Sequence, residues 1–186
     1  MGVVLALALG AAAGLNPYVT AAIAAVVAMD GRYFQPNPGL GFVATPAFLI
    51  VALALLPVDL FADKFRRSGG LMDRVSWLVR PLTGAALGGA AMREGAGMTA
   101  LGIVLGLAVA AGGHALRLRL RRRLQWRLLG LGRIVLGAYG DLFSGVVAVV
   151  ALLAAPAGFA LALAMLSLAV WADRRWGRDA PSPAPT

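Results

Sequence analysis

The chain has 186 residues, of which 60% are hydrophobic and 13% charged, with a net charge of +9 and no cysteine. A soluble domain of this size cannot bury so much apolar surface, whereas a lipid bilayer is a solvent for it. The absence of cysteine excludes disulfides, thiolate catalysis and cysteine-ligated metals.

Six apolar stretches predict an all-α, polytopic integral membrane protein with about six transmembrane helices. The stretches cover residues 3–29, 46–62, 82–92, 98–116, 134–155 and 157–172. Basic clusters follow the second, fourth and sixth stretches, at 64–67, 117–127 and 174–178. If each stretch crosses once, all these clusters lie on one side. The positive-inside rule then predicts a multi-pass protein of the inner (cell) membrane with both termini in the cytoplasm.

Two of these helices carry residues that we expect to break them. Residues 14–17 (GLNP) lie near the centre of the first stretch, where the proline removes a backbone donor. The fifth stretch carries Gly137, Gly140 and Asp141. Residues 142–155 alone are too short to span a bilayer, so Asp141 is drawn into the membrane. Broken backbone persists at this depth where it faces protein or a water-lined cavity.

Asn16 and Asp141 are therefore the leading candidates for a substrate-binding site in the middle of the membrane, together with Tyr18 and Ser144 beside them. The alternative is that these side chains only cap or hydrogen-bond helices and bind nothing. No metal or cofactor is predicted, because the lone histidine, His114, cannot build a metal site without carboxylate help.

The first and last hairpins resemble each other. Residues 16–28 and 141–154 each begin with a polar residue after glycines and continue as a small-residue apolar helix. The helices that follow end alike, as FADK at 61–64 and WADR at 171–174. We interpret this pattern as an internal repeat about an axis along the membrane normal. Chance similarity between helices rich in alanine and valine is the alternative.

The third crossing is short. Twelve residues separate Arg80 from Arg93, which corresponds to roughly 18 Å of helix against a core of ~30 Å. Extending the helix backward places Arg80 inside its cytoplasmic end, and whether this helix spans fully stays open. A guanidinium there must snorkel or find a carboxylate. We expect a structural charge cluster made of Asp59, Asp63, Lys64 and Arg80.

The whole of 1–176 is predicted to form one transmembrane domain, followed by a disordered, proline-rich cytoplasmic tail at 177–186. Arginines among leucines at 117–133 are expected to contact anionic lipid at the cytoplasmic face. A solvated charged loop is the alternative for 117–123. A nucleic-acid partner is not expected, because membrane topology already explains the arginines. Glycine-rich faces indicate close helix packing and leave a homo-oligomer open.

Three motifs resemble a known family of small membrane proteins. GLNPY (14–18), ADK (62–64) and RPLTGA (80–85) occur here in the order and spacing of the family called domain of unknown function 4126. The resemblance covers about residues 10–153. It implies a helical membrane fold and the importance of Asp63, Lys64, Arg80 and Asp141, and it implies no activity. Family members often carry an acidic pair at the later site, where this chain has Gly140 before a single Asp141.

Two classes of function are compatible with these patterns. In the first, the protein is a transporter or channel-like protein that binds a small solute, ion or lipid at the polar site. In the second, it is a non-catalytic membrane scaffold that contacts other helices and anionic lipid. An enzyme is not expected, because the chain has no cysteine, no glycine-framed serine and no histidine pair.

Overall fold

The computed structural model describes residues 1–62, 69–93, 95–127 and 131–177, and within these ranges the regular structure is entirely helical. A 3-10 helix (Pro38–Ala44) lies between the second and third α-helices. The α-helices are α1 (Gly2–Leu15), α2 (Pro17–Asp30), α3 (Pro46–Ala62), α4 (Gly69–Ala90), α5 (Gly95–Arg127), α6 (Leu131–Leu153) and α7 (Ala155–Gly177). Asp63, Lys64 and the tail from residue 178 onward lie outside the described residues.

The chain reverses direction between α1 and α2. Pro17 is the first residue of α2, and its ring pushes the preceding Asn16 into an extended conformation, with φ −143° and ψ 110°. The amide oxygen of Asn16 accepts hydrogen bonds from the backbone N–H groups of Tyr18 and Val19, at 2.9 and 3.0 Å. Asn16 therefore ends α1 and caps α2 at the same point.

α1 begins and α2 ends at the same end of the bundle, which we call the Met1 end. Gly2 lies against Ala91 and Met92, just after α4. The cavity at this end is lined both by Met1 and by Tyr33, which follows α2. α1 and α2 thus form a hairpin, which does not fit the prediction that residues 3–29 make one crossing. Each helix has 14 residues, about 21 Å and less than the ~30 Å core.

The remaining α-helices run alternately between the Met1 end and the opposite end, which we call the Trp171 end. α4 ends and α5 begins at the Met1 end, where Asn37 bonds to Ala90 and Thr99. α6 ends and α7 begins there as well. α7 then runs to the Trp171 end, so the start of α1 and the end of α7 lie at opposite ends of the bundle. The shared side predicted for the two termini does not fit this arrangement.

The described helices are those of a membrane protein. Two of them, Gly95–Leu120 within α5 and Ala155–Arg175 within α7, are long and apolar enough to cross a bilayer. The 3-10 helix and α3 as far as Asp59 form a pair bent by 53° that would make a third span. α1, α2 and Gly137–Leu153 of α6 are shorter apolar helices. The six predicted crossings are therefore not confirmed.

The predicted break in the fifth apolar stretch is absent, because α6 is one helix from Leu131 to Leu153. Neither Gly137 nor Gly140 removes a backbone donor, unlike the proline after Asn16, so the hydrogen-bond ladder continues through them. α2 and α6 run in the same direction from Asn16 and Asp141. The internal repeat itself stays a prediction.

Glycines hold α4 and α5 in close contact. A Cβ on Gly84 would lie 2.5 Å from the carbonyl oxygen of Gly106, and a Cβ on Gly102 would collide with the carbonyl oxygen of Gly88. The same seam continues onto α1, where a Cβ on Gly10 would lie 2.9 Å from the Gly106 oxygen. Small residues allow backbones to approach closely where lipid offers no hydrophobic drive to associate. α4, α5 and α1 therefore form the tightly packed centre of the fold.

We predict that Gly106→Ala destabilises the protein by about 2 kcal/mol, because the added methyl group meets the backbone of Gly84. Gly112→Ala is the matched control in the same helix, since a Cβ there meets nothing within 4 Å. It should be neutral or stabilise by up to about 1 kcal/mol. Unfolding in mixed detergent micelles, followed by circular dichroism, measures both. Equal stability of the two variants would contradict the packing described for this seam.

Candidate functional site

The tip of the α1–α2 hairpin lies deep in the bundle. Arg80, which contacts the last residues of α1, is near the midpoint of α4 (Gly69–Ala90). Asp141, which contacts Asn16, is near the midpoint of α6 (Leu131–Leu153). The hairpin therefore carries two helix ends, with their unpaired backbone groups, to half the height of the neighbouring helices.

Asn16 and Asp141 are in direct contact. The Nδ2 of Asn16 donates a hydrogen bond of 2.7 Å to Oδ1 of Asp141. Because the amide oxygen of Asn16 already accepts from two backbone N–H groups of α2, its nitrogen must face the carboxylate. Asn16 is fully buried. The structure thus brings together the two residues that the sequence singled out, although they are 125 positions apart.

Two buried hydroxyl groups complete this side of the tip. Oγ1 of Thr20 donates to the carbonyl oxygen of Asn16 at 2.7 Å, and Oγ of Ser144 donates to the same oxygen at 3.1 Å. The two hydroxyl oxygens lie 3.2 Å from each other. Ser144 was predicted from sequence, whereas Thr20 was not, although it follows Asn16 by one helical turn and therefore points to the same side. These bonds tie α2 to α6.

Arginines from two other helices occupy the end of α1. The Nη1 of Arg80 donates to the carbonyl oxygens of Gly14, at 3.1 Å, and of Leu15. The Nη1 of Arg117 donates to the same Leu15 oxygen at 2.5 Å. The last turn of α1 has no basic residue of its own, and cations are stabilised at the negative end of a helix dipole. α4 and α5 therefore supply the charge that α1 lacks.

Asp59 of α3 pairs with Arg80 across 3.5 Å, between Oδ2 and Nη2. The side chains are 14% and 3% exposed, respectively, so a largely buried ion pair, with Arg80 the more deeply buried partner, bridges α3 and α4. The sequence placed the pair near the cytoplasmic end of the helices. In the structure the pair lies at the hairpin tip, where the Arg80 guanidinium also donates to a carbonyl oxygen at the end of α1.

Other predicted residues contribute less to the tip. Tyr18 is half-buried and contributes its backbone N–H to the cap. His114 is buried, and its ring packs almost perpendicular to that of Trp77, with 5.1 Å between the ring centroids. Among the residues that the structure describes, no three His, Asp or Glu side chains cluster as metal ligands would.

Sequence reasoning missed Arg117 as a site residue. It is the first arginine of a basic block that was interpreted only as a topology signal. The Arg117 side chain lies close to α6: a Cβ on Gly140 would be 3.7 Å from the guanidinium carbon. The Arg117 guanidinium of α5 therefore lies beside α6, next to the residue that precedes Asp141. Together, Arg80 and Arg117 balance Asp59 and Asp141, so the described charges at the tip sum to zero.

We predict that Arg80→Ala costs about 3 kcal/mol of stability, because it removes this guanidinium from the largely buried Asp59 and uncovers the end of α1. Arg93→Ala is the matched control, since Arg93 is exposed and bonds only to Gln35 among the hydrogen bonds described. Unfolding in mixed micelles measures both variants. A cost for Arg80→Ala no larger than that for Arg93→Ala would contradict the structural role of the pair.

Comparison with known proteins gives one informative match. A family model described as domain of unknown function (DUF4126) matches residues 3–175, which is nearly the whole chain. No curated protein and no solved structure matches the chain significantly. The matched region contains the hairpin, Asp59, Arg80, Arg117 and Asp141, so the complete tip lies within it. The chain is a member of the domain of unknown function 4126 family.

Proposed function

We propose that this membrane protein is a transporter or channel-like protein that binds a small solute or ion at the tip of the α1–α2 hairpin. The observation that carries the proposal is the contact between Asn16 and Asp141 at the point where two half-length helices meet, deep in the bundle. Transport proteins build substrate sites in this way, with half-helix ends and buried carboxylates in the middle of the membrane.

The chemistry of the tip favours a cation over an anion as the bound ion. Four oxygen-bearing groups are joined in one hydrogen-bond network at the tip: the carboxylate of Asp141, the hydroxyls of Thr20 and Ser144, and the backbone carbonyl of Asn16. Oxygen ligands of this kind suit a hard cation. In the arrangement described here these groups satisfy one another, so binding requires α6 to move away from the hairpin.

We further propose a topology that differs from six crossings. α3–α7 each cross the membrane, and the α1–α2 hairpin enters from the Met1 end and returns to it. The Trp171 end carries the exposed Arg119, Arg174 and Arg175. The positive-inside rule places that end in the cytoplasm and the N-terminus outside.

Single cysteines test this topology, because the chain has no native cysteine. We expect Tyr33→Cys to react with a membrane-impermeant maleimide from outside intact cells, and Arg175→Cys to react only after permeabilisation. Both native side chains are exposed. An epitope tag at the N-terminus should be accessible on the same side as residue 33. A tag accessible only together with residue 175 would restore the arrangement in which both termini share the cytoplasm.

A non-catalytic scaffold is the second candidate. It is favoured by the complete burial of Asn16, Thr20 and Ser144 and by the mutual hydrogen bonds among them. In that case the tip is a structural contact that does not open and that holds α1, α2 and α6 together. The two candidates differ in whether water and small cations ever reach Ser144.

Cysteine accessibility at the tip separates the two functions. We expect Ser144→Cys, a change of one atom, to react slowly with aminoethyl methanethiosulfonate, a small cationic reagent, in proteoliposomes. Ala148→Cys is the matched control, one turn further along α6, since Ala148 is equally buried but belongs to the apolar cluster around Ala11 and Ala12. It should not react. If Ser144→Cys is as unreactive as Ala148→Cys while Tyr33→Cys reacts fully, the scaffold replaces the transporter.

A further inference from the structure

A groove of about 440 Å³ opens between α1, α5, α6 and α7, next to the hairpin tip. Its walls are almost entirely apolar. It begins beside Ala11 and Ala162, about a third of the way along α7, and ends beside Trp171 and Ala172. Arg117 is the only charged side chain that lines it among the described residues. The groove is partly open to the outside of the bundle, and in a membrane such an opening between apolar helices would face lipid.

The length of the groove matches one leaflet. Ala162 and Ala172 are ten residues apart on α7, which corresponds to about 15 Å of helix. Half of a hydrocarbon core of ~30 Å is the same distance. An acyl chain that enters from the Trp171 end would therefore reach the upper limit of the groove at the middle of the membrane.

The mouth of the groove is basic and aromatic. The last turn of α7 carries Arg174 and Arg175, and the guanidinium of Arg175 lies 5.5 Å from the centre of the Trp171 ring. Arg119 of α5 is exposed beside Leu120, which lines the groove. Tryptophan is enriched at the membrane interface, and arginines near the surface attract anionic headgroups. The mouth thus complements the negative charge of a phospholipid.

We propose that this groove binds one acyl chain of an anionic phospholipid, with its phosphate among Arg119, Arg174 and Arg175 and the chain directed toward Ala162. The apolar walls exclude a polar solute, and the depth of one leaflet fits a lipid that arrives from the same side. The site is separate from the polar cluster at Asn16, and the proposal holds whether or not that cluster transports. Because Arg117 lines the groove and also bonds to Leu15, the bound chain packs against a residue that holds the hairpin.

Native mass spectrometry of the detergent-solubilised full chain, titrated with phosphatidylglycerol or phosphatidylcholine, tests the proposal. We expect one phosphatidylglycerol to bind per chain and phosphatidylcholine to bind more weakly. Ala169→Phe fills the groove and should weaken phosphatidylglycerol binding roughly tenfold, as expected if about two methylene groups are displaced. Ala164→Phe makes the same substitution on an exposed position of α7 that does not line the groove, and should leave binding unchanged.

A second variant tests the mouth without touching the packed interior. Arg174→Gln with Arg175→Gln changes exposed side chains, and each lost charge should weaken phosphatidylglycerol binding about fivefold while phosphatidylcholine binding stays constant. Equal affinity for the two lipids, or full retention of phosphatidylglycerol by Ala169→Phe, would overturn the proposal. So would a dimer that Ala169→Phe dissociates, because a second copy of the chain would then be the occupant.

Discussion

The interruption of the backbone at Asn16 is the constraint on which the rest of this structure depends. A helix that ends inside a bilayer exposes carbonyl and amide groups that hydrocarbon cannot satisfy, at a cost of several kcal/mol each. In this bundle, side chains provide hydrogen-bond partners for these groups. The Asn16 side chain caps the start of α2, and Arg80 and Arg117 bond to the end of α1. Without these partners the broken backbone could not be buried between the neighbouring helices.

Each of these partners in turn recruits another element of the fold. Arg80 requires a carboxylate, which Asp59 provides from α3. The Asn16 amide requires an acceptor, which Asp141 provides from α6. Arg117 bonds to Leu15 from α5, and its guanidinium lies beside Gly140 of α6. One broken hydrogen-bond ladder thus positions side chains from α3, α4, α5 and α6, and the glycine seam between α4 and α5 brings their backbones near enough to reach.

The position of the tip could be predicted from the sequence, but the shape of the hairpin could not. Pro17 marks a break by removing a donor, and an acid within an apolar stretch demands a partner, so Asn16 and Asp141 were identifiable. An apolar run of 27 residues is long enough for one transmembrane helix, and also for a hairpin of two half-length helices. Hydropathy alone does not distinguish these two structures. The break expected in α6 is absent, because glycine, unlike proline, keeps its backbone N–H and can continue the helix. Arg117 was missed because a topology signal already explained its charge, and the reach of a side chain is a property of the folded bundle.

The hairpin has a consequence for the order of biosynthesis. Residues 1–30 are made before the side chains that satisfy their broken backbone, which follow much later in the chain. The residue that pairs with Asn16 is 125 positions away, and the two guanidinium groups on Leu15 are 65 and 102 positions away. Contacts of such high sequence separation form late. The hairpin segment is therefore synthesised well before its partners, and its buried contacts can form only after α4, α5 and α6 have also been made.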